Sequence, residues 1–339
     1  MLDRLSRRTL IATAALTFAA GCSSNNSLAP GQSSSILPSS RQAGAGMRIL
    51  PGPVVAGPLI VPLTPRAVRA PHGWPPKKKK KSEILFVADA SSGILMYDPK
   101  TANSSPIGSI TTGVDIPSQV AVDKKGALYV TNDGNNTVTV YPKGKSSPSL
   151  TISTGISSPY GITVDSSGNV FVSNLNTNDV TAYKKGATSP YETISFNAYG
   201  QAVGVGVDAK DNVWVACDST NGVFVIDKGT SSVTNSGLTG LGGPIGVSFG
   251  QKDEIYVSNF SSSDVNIYTY GTTSPKATIT DGIESFGPTL NGFTSADAFF
   301  QSNQNDNVVG YKKGQTSPFS TLNGASSPLG IASSPLVKE

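Results

Sequence analysis

Residues 159–174 read PYGITVDSSGNVFVSN, and the chain repeats this phrase with small changes. The phrase holds a turn proline, an apolar strand, a polar hairpin and a second strand that ends in Asn. The second strand starts again every 42 to 44 residues, at Leu85, Leu128, Val170, Val213, Ile255 and Phe299. A repeat of this length that contains only strands predicts an all-β fold, a six-bladed β-propeller of four-stranded blades.

The first and last copies of the phrase are incomplete in complementary ways. No inner strand precedes Leu85, whereas Pro328 begins an inner strand that no second strand follows. A propeller closes its ring when one end of the chain supplies the strand that the other end lacks, because ladder hydrogen bonds then join the two ends. We therefore expect residues 329–334 to pair with residues 84–89.

The repeated phrase resembles the NHL repeat. The match consists of Pro159, the Gly-Ile-x-Val-Asp run after it, the Gly-Asn hairpin, the strand that ends at Asn174, and then Asn178-Asp179-Val180 and Tyr183. Six copies in register, over about residues 84–335, carry the resemblance. The usual Arg of the Asn-Arg-Ile segment is replaced, by Thr137, Asp179, Gly222 and Asp264. WD repeats are disfavoured because their Gly-His and Trp-Asp signatures are missing.

The charges of the chain are segregated. The 339 residues carry a formal charge of +4, but residues 82–339 hold 14 Lys, no Arg and 21 acidic residues, a charge of −7. Residues 1–81 carry +11. Recognition of a phosphate backbone requires clustered Lys and Arg on the folded surface. An acidic propeller without arginine therefore excludes nucleic acid as a partner.

Residues 1–21 predict an export signal. Arg4, Arg7 and Arg8 precede an apolar stretch from Thr9 to Ala20, which is too short to span a bilayer. Ala19-Ala20-Gly21-Cys22 resembles a bacterial lipobox, and the resemblance implies that Cys22 is acylated and becomes the first mature residue. Residues 6–11, SRRTLI, also resemble a twin-arginine signal, so the export route stays open between the twin-arginine and the general pathway.

These features predict a lipid-anchored protein of the bacterial cell envelope, on its extracytoplasmic side. Ser23 stands where an Asp would, by resemblance to known lipoproteins, retain the protein in the inner membrane, so the outer membrane is favoured in a Gram-negative cell. Residues 22–82 are interpreted as the anchor and a disordered linker rich in Ser, Pro and Lys. The run Lys77 to Lys81 has two interpretations. It contacts an anionic surface, which is either lipid or the acidic propeller, or it is solvated. Residues 83–335 form the propeller.

One end of the propeller is the predicted binding face, because inner strands start and second strands end there. Its inner positions are Ser118, Tyr160 and Thr289, together with the apolar Val203, Ile245 and Leu329. The second strands end around them, at Asn132, Asn174, Asn259 and Asn303, with Asp89 and Cys217 in the remaining copies. The asparagines have two interpretations: they cap a turn from strand to loop, or they contact a ligand.

Two functions from different classes fit this pattern. Lyases that resemble this fold place histidines near the inner positions, but the only histidine of this chain, His72, lies in the linker. We therefore expect no catalytic residue, no resident metal and no cofactor, and a scaffold that binds a protein, peptide or glycan. The alternative is a calcium-dependent hydrolase of the gluconolactonase and paraoxonase type, which the Asn and Asp side chains of the rim would favour because calcium binds amide and carboxylate oxygens.

Overall fold

A computed structural model describes Gly73 and residues 83–250, 254–283, 288–294, 298–303 and 307–334. For residues 288–291 only the backbone is described, so the side chain of Thr289 lies outside the described residues. The signal at residues 1–21, Cys22 and Lys77 to Lys81 also lie outside them. No helix within the described ranges has the length and apolar character to cross a bilayer.

The strands follow the repeat. In chain order they are β1 (Leu85–Asp89), β2 (Gly93–Tyr97), β3 (Gly108–Ile110), β4 (Pro117–Val122), β5 (Leu128–Asn132), β6 (Thr137–Tyr141), β7 (Leu150–Ile152), β8 (Pro159–Val164), β9 (Val170–Asn174), β10 (Asp179–Tyr183), β11 (Glu192–Ser195), β12 (Ala202–Val207), β13 (Val213–Cys217), β14 (Gly222–Ile226), β15 (Val233–Asn235), β16 (Pro244–Phe249), β17 (Glu254–Asn259), β18 (Asp264–Thr269), β19 (Ala277–Ile279), β20 (Pro288–Phe293), β21 (Phe299–Asn303), β22 (Asn307–Tyr311), β23 (Pro318–Leu322) and β24 (Pro328–Ser333). A single 3₁₀ turn, Asp133–Asn135, accompanies them in the described part of the chain.

The strands form six four-stranded antiparallel sheets, one for each copy of the phrase. Blade one has the order β24-β1-β2-β3, and blades two to six take four consecutive strands each, from β4–β7 to β20–β23. The inner strands pack side by side around the ring, each between the inner strands of its two neighbours. This arrangement confirms the predicted six-bladed β-propeller.

The seam of the ring lies inside blade one, as the incomplete copies predict. β24 pairs with β1 in the register Leu85 with Ser333, Phe86 with Ala332 and Val87 with Ile331. The backbone N–H of Ser334 donates to the carbonyl of Ile84 at 2.7 Å and extends the ladder by one residue. The expected pairing of residues 329–334 with residues 84–89 is therefore confirmed.

Apolar layers between blades hold the ring together. Between blades one and two, for example, Phe86, Ile94 and Met96 pack with Val120 and Leu128. The inner strands approach so closely that a Cβ on Gly206 would lie 2.5 Å from the carbonyl oxygen of Val247. Glycine at this position thus allows the neighbouring blades to meet near the axis.

Five blades carry a buried tyrosine at the end of the third strand, and its hydroxyl reaches the chain segment that enters the same blade. Tyr141 donates to the carbonyl of Thr112 and Tyr183 to that of Thr154, both at 2.8 Å. Blade four has Ile226 at this position and lacks the bond. The repeated tyrosine is therefore a packing residue with a satisfied hydroxyl, which is what a buried phenol requires.

The two ends of the propeller differ in which connections they carry. We call the end at which the inner strands begin the proline end. It also carries the connections between second and third strands and the connections between blades. The opposite end carries the tight hairpins from inner to second strands and the connections from third to fourth strands, and we call it the hairpin end. Each inner strand starts with a β-bulge against its second strand, as between Pro159 and Ile162. A proline is tolerated there because the ladder is already interrupted.

Candidate binding face at the proline end

The four strand-end asparagines lie at the proline end and are fully buried. The side-chain oxygen of Asn132 accepts the backbone N–H of Asp115 at 3.1 Å. Asn174 and Asn259 repeat this bond with residues at the same spacing: Ser157 donates at 3.0 Å and Gly242 at 3.2 Å. Each of these three asparagines thus ties the end of a second strand to the segment that enters the same blade.

The amide nitrogens of these asparagines are also used inside the fold. The Nδ2 of Asn174 donates to Asp179 Oδ1 at 2.8 Å, and that of Asn259 donates to Asp264 Oδ1 at 2.7 Å. The Nδ2 of Asn303 donates to the carbonyl of Gly282 at 2.8 Å. These contacts support the interpretation of the asparagines as turn caps. Ligand contact at this face stays a prediction.

In blade one a carboxylate, not an amide, holds the end of the second strand to the segment that enters the blade. Asp89 is buried at the strand end, and its Oδ2 accepts the backbone N–H groups of Ser326 at 2.5 Å and of Ser327 at 2.9 Å. Its Oδ1 accepts the N–H of Ser91 at 3.0 Å. Since Ser326 and Ser327 precede β24, the carboxylate joins the two ends of the propeller chain at the seam.

The inner positions of the predicted face are mostly closed off from solvent. Val203, Ile245 and Leu329 are buried, and Ser118 is buried as well. The hydroxyl of Ser118 lies 2.8 Å from the carbonyl oxygen of Pro159, which links two neighbouring inner strands. Among the predicted inner side chains that the structure describes, Tyr160 alone keeps partial exposure.

An apolar cluster fills this end of the channel. Val203, Ile245 and Phe260 form it, and Tyr160 and Leu175 pack against it. Leu175 and Phe260 each follow a strand-end asparagine directly, so the first residue after the second strand reaches the mouth of the channel. The face predicted from the sequence did not include Leu175 or Phe260.

Two carboxylates flank the cluster at the same position of other blades. Asp133 follows Asn132, and Asp218 follows Cys217. Burial raises the pKa of the Tyr160 hydroxyl, and the charges of Asp133 and Asp218 raise it further, so both carboxylates act on that side chain. Burial also raises the pKa of Asp218 to about 6, against backbone hydrogen bonds that lower it. The mouth thus combines an apolar centre with two acidic side chains that the sequence analysis had not singled out.

The rim does not offer the donor set that calcium would need. The amide oxygens of Asn132, Asn174 and Asn259 already accept backbone N–H groups, so they are not directed at a shared point. Within the described ranges, no three side chains of His, Cys, Asp or Glu converge on a place that could hold a metal ion. These rim residues therefore do not fit the calcium site that the alternative function requires.

Cys217 occupies the strand-end position in blade four and is completely buried. Burial raises the pKa of its thiol, and the nearby charge of Asp218 adds to the effect. A buried thiol with a raised pKa is a poor nucleophile, because the thiolate is the reactive form. Cys217 is therefore a small packing residue of the core of blade four.

The proteins that resemble this chain share its fold, and the similarity does not define a function. No family model matches the chain, and no curated protein matches it. Among solved structures, one chain of the nidogen–laminin complex superposes with a TM-score of 0.61 at 13% identity, over 74% of this chain and 98% of that one. A protein of unknown function from Bacteroides caccae gives 0.58 at 12% identity, over 75% and 99%. A streptogramin B lyase gives 0.53 at 14% identity, over 75% and 82%. At such low identity these similarities establish the β-propeller fold alone.

Proposed function

We propose that this chain is a lipoprotein of the bacterial cell envelope, tethered through acylated Cys22, and that its propeller is a binding scaffold of the NHL type. Its proline end would bind a protein segment or peptide that carries cationic and apolar side chains. The lipobox-like Ala19-Ala20-Gly21-Cys22 and the six NHL-like copies support the anchor and the repeat class.

One observation carries the choice of partner: the charge at the proline end has a single sign. The described part of this end bears no lysine, while carboxylates recur around it, exposed or half-buried at Asp115, Asp133, Asp179 and Asp264 and buried at Asp218. A surface of one sign attracts ligands of the opposite sign and accelerates their association. Tyr160 and Leu175 add partly exposed apolar surface at the centre. This combination favours a basic segment with aliphatic or aromatic side chains.

The nidogen–laminin structure supports a scaffold of this kind, since it contains a propeller of similar fold in a complex of two proteins. A fold alone does not define a partner. The ligand class proposed for this chain therefore rests on the charge and packing of its own proline end.

The anchor is tested by Cys22→Ala in the native host. We expect the variant to lose incorporation of labelled fatty acid and to appear in the soluble fraction after a wash with concentrated salt, because acyl chains bind through buried CH₂ groups and not through charge. Ser24→Ala is the control, since it changes a neighbouring residue and leaves the lipobox intact. Retention of Cys22→Ala on membranes through the salt wash would refute the anchor.

The binding face is tested with short random peptides displayed on phage and selected against the purified chain. We expect the selected peptides to be rich in Lys or Arg with aliphatic or aromatic neighbours, and their affinity to fall in a variant with Asp133→Asn and Asp218→Asn. A variant with Asp227→Asn, which changes an exposed carboxylate of the hairpin end, is the matched control. Neutral or acidic selected peptides, or equal affinity for both variants, would contradict the proposed face.

A further inference from the structure

Every lysine that the structure describes lies at the hairpin end of the propeller. All of them occur in the hairpins between inner and second strands or in the connections between third and fourth strands. Blades two and three hold half of this set in exposed positions, at Lys124, Lys125, Lys143, Lys145, Lys184 and Lys185. The propeller therefore has one acidic end and one end with a dense sector of lysines.

The lysines of this sector outnumber its carboxylates: Asp123 and Asp165 are buried beneath the hairpins, and Asp123 Oδ2 lies 4.0 Å from Lys185 Nζ. Asp123 Oδ1 accepts the backbone N–H groups of Lys125 at 2.9 Å and Ala127 at 2.8 Å. Asp165 is likewise buried and accepts the N–H groups of Ser167 and Asn169, both at 2.8 Å. The two acids stabilise the turns through backbone N–H groups, and the lysine side chains of the sector are exposed.

A groove runs between blades two and three in the middle of this sector. It has a volume of about 480 Å³, and Tyr129, Val140 and Leu150 provide its apolar floor. Lys125, Lys143 and Lys185 stand around it. An apolar floor edged by ammonium groups fits an anionic headgroup that is attached to an apolar body.

The chain enters the propeller at this same end. Leu85 begins the second strand of blade one, and second strands start at the hairpin end. Upstream of this point the N–H of Gly73 donates to the carbonyl of Ser109 in β3 at 2.7 Å, so the tether reaches the body at the outer strand of blade one, and the run Lys77 to Lys81 lies in the sequence between Gly73 and Leu85.

We propose that the hairpin end docks on the anionic phospholipid surface of the membrane through the lysines of blades two and three. The proline end then faces away from the bilayer, toward the partner. The orientation builds on the proposed tether, but the affinity of the lysines for anionic lipid does not require an acyl chain. The two proposals can therefore fail separately.

The test uses the chain from residue 22 onward with Cys22→Ala, so that neither the export signal nor an acyl chain contributes, and vesicles of phosphatidylcholine with or without phosphatidylglycerol. Sedimentation should show binding to the anionic vesicles only, and concentrated salt should abolish it because the charges are exposed. Lys125→Glu with Lys143→Glu should weaken the binding by about 30-fold or more, given the usual contribution of a lysine near such a surface.

The matched control is Lys312→Glu with Lys313→Glu, which makes the same change in net charge at the hairpin end of blade six, across the ring. Both pairs keep Lys77 to Lys81, so a difference between them reports on the propeller. If both pairs of substitutions lowered the affinity for anionic vesicles equally, the effect would depend on net charge alone, and the proposal would be overturned. Binding to neutral vesicles, or stronger binding to soluble polyglutamate than to anionic vesicles, would overturn it as well.

Discussion

The seam of blade one can be probed with a pair of matched substitutions. Ile331 in β24 and Ile162 in β8 occupy the same position of the inner strand, three residues after the turn proline, and both are 2% exposed. Ile331 pairs with Val87 across the seam, whereas Ile162 pairs with Val172 within a continuous blade. Substitution of either isoleucine by alanine removes the same atoms from equivalent surroundings.

The global cost should be similar in the two variants, about 2–5 kcal/mol of unfolding free energy, because each leaves a cavity in a packed core. The local cost should differ. Strand β24 ends the described chain and is held by its contacts in blade one and with the inner strands beside it, so it can detach while the other blades stay closed. Strand β8 is continuous at both ends and cannot detach alone.

Hydrogen exchange measured by mass spectrometry separates the two effects. Ile331→Ala should speed exchange of the β1 amides by about 100-fold, which corresponds to a loss of about 3 kcal/mol in the opening free energy of the seam. Ile162→Ala should leave β1 protected until the whole propeller unfolds. If both variants exposed β1 equally, the seam would be no weaker than any other blade, and local detachment of β24 would be ruled out.

Three further outcomes are expected from urea unfolding. Asn174→Ala should cost about 1–3 kcal/mol without any ligand, because the half-buried N–H of Ser157 loses its acceptor, while the exposed Asn176→Ala should cost little; equal small effects would contradict the turn-cap role. Tyr183→Phe should cost about 0.5–1.5 kcal/mol through its lost bond to a carbonyl, and no change at all would contradict that bond. Asp218→Asn should stabilise the fold by about 2–3 kcal/mol above pH 7 and have no effect below pH 4, because a carboxyl whose folded pKa rises from 3.8 to about 6 costs stability only once it ionises; a pH-independent effect would contradict the raised pKa.

The architecture was predictable because every copy of the phrase must meet the same mechanical requirements. The turn prolines mark strand starts and the strand-end asparagines mark the loops that they hold, and the offset between Leu85 and Pro328 indicates the seam. A residue that recurs in every copy indicates a requirement of strand pairing or packing that all blades share. It therefore predicts the shape of the fold and says little about a ligand.

The composition of the mouth was harder to predict, because it depends on the positions that do not repeat. Leu175, Asp218 and Phe260 occupy one position of the phrase, but two of them are apolar and the third is acidic. Their convergence around Tyr160 follows from the ring, which brings segments from distant parts of the chain to one end. Net charge was misleading in a related way, since the value of −7 for the body conceals two ends of different character.

The location of the seam within a blade bears on how such a chain can evolve. β1 and β24 recognise each other through one strand pair, and neither strand depends on how many copies lie between them. Duplication or loss of one whole copy would keep both partners and the buried Asp89 that joins their loops. Blade number can thus change by unequal recombination without redesign of the closure, and each added copy supplies one more variable position at the mouth.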